Sequence, residues 1–431
     1  MSSIPVISRE IDLTSYKGVQ PGRSRRITIQ PDNLSTYTSS DSTADIFFSI
    51  PQSSNSFIQT NCTQLVLNVL ANATFASGTG ATSLCNGDGS SIVQSLETVV
   101  QNQQIEQTLN YATYAAMIND CQGVGRSASV GSIMNGATTT LKAGASLSAA
   151  TTVDGVPVRC VLSLHSGLIG TGAEQYCYMG MSGIRIKLTL ATSNNALVIT
   201  APATAVYKLS NISLQLEVMD FDAATINAIA AQGNGTFKQH MVCVNNYTSV
   251  IQAATQNNVL IPARFSSVKA LLCAFRLSAN LSSPATENIP GDRLFPKIGS
   301  YYFQVDGANV PSVPVLCADS ATNIYCAEAL SEVMKVFGAS NSNQFETVFA
   351  KANYEDAAGT SGTGSFMLGI NFESQDSAGS ALISGRDLNS SNCYLNLSHY
   401  TTALASVCDT FALYDQVITY DIASGTVSQS K

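Results

Sequence analysis

At 431 residues the chain is longer than one hydrophobic core ordinarily grows, which predicts two domains of about 200 residues each. Apolar residues make up 45% of it and charged residues only 12%, half the usual ~25%, which excludes a disordered chain and suits equally one that buries much of its exterior against copies of itself and a secreted β-rich protein. A formal net charge of −8 excludes a general nucleic-acid binder, and no window approaches the ~18 uninterrupted apolar residues of a membrane-spanning helix.

The opening MSSIPVISREIDLTSYKG lacks an apolar stretch behind a basic start, so no secretory signal is read there and a reducing compartment is expected. Residues 1–30 read as an N-terminal arm carrying Arg9, Lys17, Arg23, Arg25 and Arg26. A short basic run of this kind is ordinarily a solvated tail. Its functional reading is contact with nucleic acid, a membrane surface or a neighbouring subunit.

Short strands separated by Ser, Gly, Asn and Thr clusters follow. Ala44–Ile50 runs into Pro51, a strand stop. Gln64–Leu70 sets Leu65, Leu67 and Val69 on one face at period two. Gly183–Ala191 alternates Ile184, Ile186, Leu188 and Leu190 with Arg185, Lys187 and Thr189, and Leu209–Val218 does the same through Ile212, Leu214, Leu216 and Val218. This is the half-buried antiparallel pattern, and it predicts a mostly β fold.

Three helices interrupt it. Ile105, Leu109, Ala112 and Ala116 form one apolar stripe at helical spacing, and Cys326, Leu330, Val333 and Phe337 form another, closed by Gly338 as a C-cap. A weaker candidate is Ala223–Ala231, followed by Gln232-Gly233-Asn234-Gly235, which reads as the domain boundary. The two stronger helices stand about 220 residues apart in similar settings, and each half ends on an alternating strand leading into an Asp. The organisation predicts two tandem antiparallel β-sandwiches, each with a short flanking helix, at 31–222 and 240–424. Residues 223–239 are the linker and 425–431 a C-terminal tail. Ser127–Ala150 and Ala357–Gly364 are polar loops at one end of each sandwich.

Candidate chemistry is sparse. The eleven cysteines show neither a CxxC nor a Cys/His metal spacing and read as small buried hydrophobes. His165, His240 and His399 lie far apart without local partners. Gly167–Gly172 (GLIGTG) lacks the Lys-Ser/Thr ending of a phosphate loop, and reads as a plain loop. Glu97, Glu106, Asp120, Asp292, Asp306, Glu373, Asp376 and Asp387 are scattered, with nothing local to select a catalytic pair. No cofactor, metal or catalytic residue is predicted, and the expectation is a protein that is not an enzyme.

Seven segments, taken in order, resemble the double jelly-roll major capsid proteins of small eukaryotic DNA viruses of the Polinton-like virus, adintovirus and virophage type. They are Ser91–Asp120, Val158–Ala191, Arg264–Arg276, Ser300–Val315, Phe366–Glu373, Leu382–Leu388 and Ala412–Ile422. The most specific is SYYFQVDGANVPSVPV at Ser300–Val315, where Asp306-Gly307 is also a hairpin turn pair on physical grounds and Pro311 and Pro314 mark an edge or loop. The resemblance implies a virion protein whose function is assembly: side-by-side jelly rolls, hexon-like homotrimers, an icosahedral shell, and penton and minor capsid proteins as further partners. It places the arm at the inner face, touching membrane or genome. The alternative from another class is a β-sandwich adhesion or lectin-like binding protein, such as a virion spike or surface module.

Overall fold

The computed structural model describes residues 22–39, 44–73, 82–84, 89–121, 153–154, 157–170, 176–199, 205–281, 291–338, 351–355, 364–373 and 385–430. In the first half the principal elements are β1 (Arg23–Ile29), β2 (Asp45–Ser49), β3 (Ser56–Ala73), β4 (Val93–Val100), β5 (Gln103–Thr108), α1 (Tyr111–Cys121), β6 (Val158–Ser163), β7 (Tyr176–Tyr178), β8 (Arg185–Leu190) and β9 (Ala205–Asp220). Helix α2 (Ala223–Gln232) leads into the second half. There the elements are β10 (Thr236–Ile251), β11 (Gln256–Ile261), β12 (Val268–Leu277), β13 (Ile298–Val305), β14 (Ala308–Leu316), α3 (Ala327–Val336), β15 (Leu368–Asn371), β16 (Cys393–His399), β17 (Ser406–Asp421) and β18 (Val427–Ser430).

The halves share one strand order. The first pairs β1-β9-β3, with β6 and β7 along the far edge of β3, and β2-β8-β4-β5 in the opposing sheet. The second pairs β10-β17-β12-β15 and β11-β16-β13-β14. Pairing within both halves is antiparallel, so this is the same double-sheet jelly roll built twice. Alternation does what the sequence implied. On β8, Ile186, Leu188 and Leu190 are buried, and on β9 Leu214, Leu216 and Val218 are buried. The second core adds Phe275, Phe303, Tyr301 and Phe411, none with measurable exposure, each worth roughly 1.5–3 kcal/mol of burial.

The β4–β5 and β13–β14 hairpins occupy the same place in the two halves. Asp306 (φ 53°) and Gly307 (φ 78°) form the expected left-handed turn pair, and Gln101 (φ 50°) with Asn102 (φ 63°) forms the other without any glycine.

Four expectations need correcting in detail. Arg23–Ile29, read as arm, is an edge strand in full register with β9, from Arg23 opposite Asp220 to Ile29 opposite Leu214. Its buried-side residues Ile27 and Ile29 alternate at period two behind the arginines. Residues 223–239, read as a linker that opens with a helix candidate at Ala223–Ala231, do form that helix as α2 and a hydrogen-bonded turn through Gly233–Gly235, but β10 already begins at Thr236. Residues 427–430, read as tail, are β18, paired with Val417–Tyr420 of β17. The stripe from Ile105 to Ala116 is not one helix: Gln103–Thr108 is a strand, Asn110 at φ 50° breaks the chain direction, and α1 begins at Tyr111. The second predicted helix is as expected, α3 with Gly338 at φ 79° after its last turn. Ser127–Ala150 and residues 357–363 of the other polar stretch lie outside the described residues.

Candidate functional site

The junction between the two jelly rolls gathers most of the buried polar chemistry. Strand β5 and the start of α1 run beside β10, and Thr108 Oγ1 donates to the Val244 carbonyl. Glu106, on β5, is only 1% exposed. Its carboxylate accepts from Ser166 Oγ at 2.7 Å and from the Gly167 N–H at 3.0 and 3.1 Å, and the Val244 backbone of the second half also hydrogen-bonds to it. Burial pushes its pKa up to about 7, against the downward pull of those hydrogen bonds. Gly167 is required here: a Cβ on it would stand 2.5 Å from the Val242 carbonyl oxygen. Gly167, the first glycine of GLIGTG, thus serves close approach of two backbones. A cavity of about 240 Å³ adjoins it, walled by Glu106, Tyr114 and His165 from the first half and by Lys269, Glu373 and Leu413 from the second.

Charges at the junction are mostly paired. Asp409, on β17, accepts from Asn110 Nδ2 at 2.9 Å, Thr248 Oγ1 at 2.8 Å and Arg276 Nε at 2.6 Å, joining α1's N-terminal approach to the second half. Arg293 is fully buried and pairs with Asp120 of α1, another link across the halves. Gln101 uses both ends of its amide: Nε2 donates to the Gly425 carbonyl at 2.6 Å and Oε1 accepts from Val427 N–H at 2.9 Å. That side chain holds β18 of the second half to the β4–β5 turn of the first. Beside it Tyr178 packs on Phe237 with ring centroids 4.3 Å apart, and Phe57 and Tyr420 complete the aromatic cluster.

The histidines have local roles. His240 Nε2 and Ser267 Oγ both bond Asp415, at 2.8 and 2.7 Å, so the hydroxyl is turned to the carboxylate and not to the ring. His399 bonds the Pro296 carbonyl and Asn257. His165 packs beside Tyr111 and Tyr114. Of the acidic residues, Glu106 and Glu373 meet at the cavity, Glu97 pairs with Lys187, and Asp376 lies outside the described residues. Among the described residues no group of three or more His, Cys, Asp or Glu is placed to hold a metal. Ten cysteines are described; all are free thiols and all but Cys62 are buried, with Cys121, Cys177 and Cys393 pushed up to about 12 by burial.

Arg9 and Lys17 lie outside the described residues. Arg23, Arg25 and Arg26 stand together on β1, where Arg25 Nε meets Asp220 at 2.6 Å and Arg26 Nε meets Glu217 at 2.6 Å. Two of the arm's cations are therefore answered by the adjacent strand. Exposed apolar side chains include Leu109, Val250, Leu260 and Ile422, and two edge strands are open. β1 is exposed along Arg23–Arg26, and β14 is open with Val313 72% and Leu316 47% exposed. Sequence reading missed the junction because its residues come from segments 60 to 326 positions apart.

No family model matches the sequence, and no curated protein matches it either. The fold does have solved counterparts. VP54 of the virus PBCV-1 is similar at a TM-score of 0.57 and 12% identity, over 96% of this chain and 98% of that one. The Faustovirus major capsid protein is similar at 0.55 and 10% identity, over 93% and 90%. The mavirus major capsid protein is similar at 0.52 and 9% identity, over 94% and 90%. The fold is the double jelly roll of viral major capsid proteins, across nearly the whole length of both partners in each comparison.

Proposed function

We propose that the chain is a major capsid protein that assembles as hexon-like homotrimers into an icosahedral virion shell. The observation that carries this reading is what the repeat leaves over. Inside one chain, β5 of the first half lies against β10 of the second. By shared topology β14 corresponds to β5, and β1 to β10: Arg23 pairs opposite Asp220 as Thr236 pairs opposite Asp421. β5 buries Ile105, Glu106 and Thr108 and leaves its three glutamines exposed, and β10 is mostly buried or half-buried, whereas β14 and β1 are exposed along most of their length.

A second copy placing its β1 against β14 repeats the intramolecular contact. Such a head-to-tail contact closes into a ring when the rotation per half is one sixth of a turn, which gives six jelly rolls from three chains. The sparse charge of the chain lowers the desolvation cost of that burial. Prolines 311 and 314 on β14 keep the open edge from pairing indiscriminately as a sheet. Location in the virion, with penton and minor capsid proteins as neighbours, follows from this reading. So does an inner-face position for the N-terminal segment, where Arg9 and Lys17 approach membrane or genome.

Negative-stain imaging of the purified chain tests the reading. Three-fold particles of hexagonal outline, or closed shells, are expected. Single two-lobed particles that bind glycans on an array would replace it with the adhesion or lectin-like reading.

A further inference from the structure

We propose that Glu106 is a proton-operated latch between the two jelly rolls, closed when its carboxyl is neutral and loosened when it is ionised. The geometry sets two requirements against each other. Backbone N–H groups and the Ser166 hydroxyl address the carboxylate, from the 166–168 loop on one side and from Val244 of the second half on the other, which favours the ionised form. Yet the residue is 1% exposed and no cation among the described residues is placed on it, because Lys269 across the cavity is drawn to Glu373 at 3.0 Å and Asp415 at 3.7 Å. An ionised carboxylate in that position gains by parting the walls and admitting water.

The titratable groups around Glu106 come from both halves. Tyr114 on α1 and Tyr414 on β17 are raised by burial and stay neutral. Cys243 on β10 is a buried thiol against Gly167, and His165 packs on Tyr111 and Tyr114. Lys269 is shared between Glu373 and Asp415 at the far wall.

The direction follows from burial. With the junction open and wet, the carboxyl returns to its ordinary 4.5, and with it closed the value is about 7. The closed form is therefore favoured fully below pH 4.5, and that advantage is lost as pH rises to about 7. Over this window the closed-to-open ratio falls on the order of 100-fold.

Hydrogen exchange of the full chain between about pH 5 and about pH 8.5, corrected for intrinsic rates, reads this at the Gly167, Leu168 and Val244 amides. Wild type is expected to lose protection on the order of 100-fold across the window. Glu106→Gln, which cannot ionise, should be flat, and Ser166→Ala, which removes a donor to the anion, should move the midpoint to higher pH. A flat wild-type profile overturns the latch, as does a Glu106→Gln profile with the wild-type slope. Should Glu106→Gln fail to fold, the Ser166→Ala midpoint decides, and an unmoved midpoint overturns it.

Discussion

β5 and β14 are the same strand of the same fold, and they have opposite surroundings. Each follows a left-handed two-residue turn and closes the edge of a four-stranded sheet. β5 turns Glu106 and Thr108 into the junction, both nearly inaccessible, whereas β14 leaves Val313 and Leu316 in the open. At the position of Glu106, counted from the turn, β14 carries Pro311. Jelly-roll topology therefore sets where a strand runs, and the neighbouring half sets what its residues are for. A second difference lies on the other sheet. The first part of β3 (Ser56–Gln59) pairs with Glu217–Asp220 at the end of β9. β12 is too short to do this for β17, and β18 pairs with Val417–Tyr420 in its stead, held by Gln101. The C-terminal segment completes in the second half what one continuous strand completes in the first.

The comparison breaks most completely at the open edge. Val313→Asp combined with Leu316→Asp is expected to abolish self-association while leaving the thermal midpoint of the single chain within the ~0.5 kcal/mol of ordinary surface changes. Sedimentation and calorimetry on one sample check both. Unchanged association would remove β14 from the assembly contact.

Next in size is Asp409→Ala. It leaves the Arg276 guanidinium, Thr248 and Asn110 without their common acceptor at the junction, and a loss of about 3–5 kcal/mol in urea unfolding is expected. Gly167→Ala puts a Cβ against the Val242 carbonyl and should cost about 1–3 kcal/mol, whereas Gly235→Ala, with open space around it, meets only backbone strain of about 1 kcal/mol. The gap between the two measures how tightly the halves approach. Smallest is Gln101→Ala, about 1 kcal/mol, seen as faster hydrogen exchange at residues 427–430. Truncation after Ser424 should remove any further effect of that substitution, because both delete one contact.

Much of the fold was legible from the sequence because a sandwich strand exposes one face and buries the other. The alternations on β8 and β9, the Asp306-Gly307 turn and the Gly338 cap all act within a few residues of themselves. β1 was misread because three arginines in four positions look like a solvated tail; only Ile27 and Ile29, at period two, carried the strand signal. The Ile105–Ala116 stripe was misread because a spacing of four fits a helix and also a strand followed by a helix, and the break at Asn110 has no strong sequence mark. The junction was not legible at all. Glu106 is an ordinary exposed-type carboxylate until Val244, far along the chain, is folded against it.

The central claim is that the open edges of one chain are satisfied by other copies of it, and the solution mass tests it most directly. Size exclusion with light scattering should give three times the 45.3 kDa chain, about 136 kDa, or larger shells. A strict 45.3 kDa monomer at high concentration would contradict it.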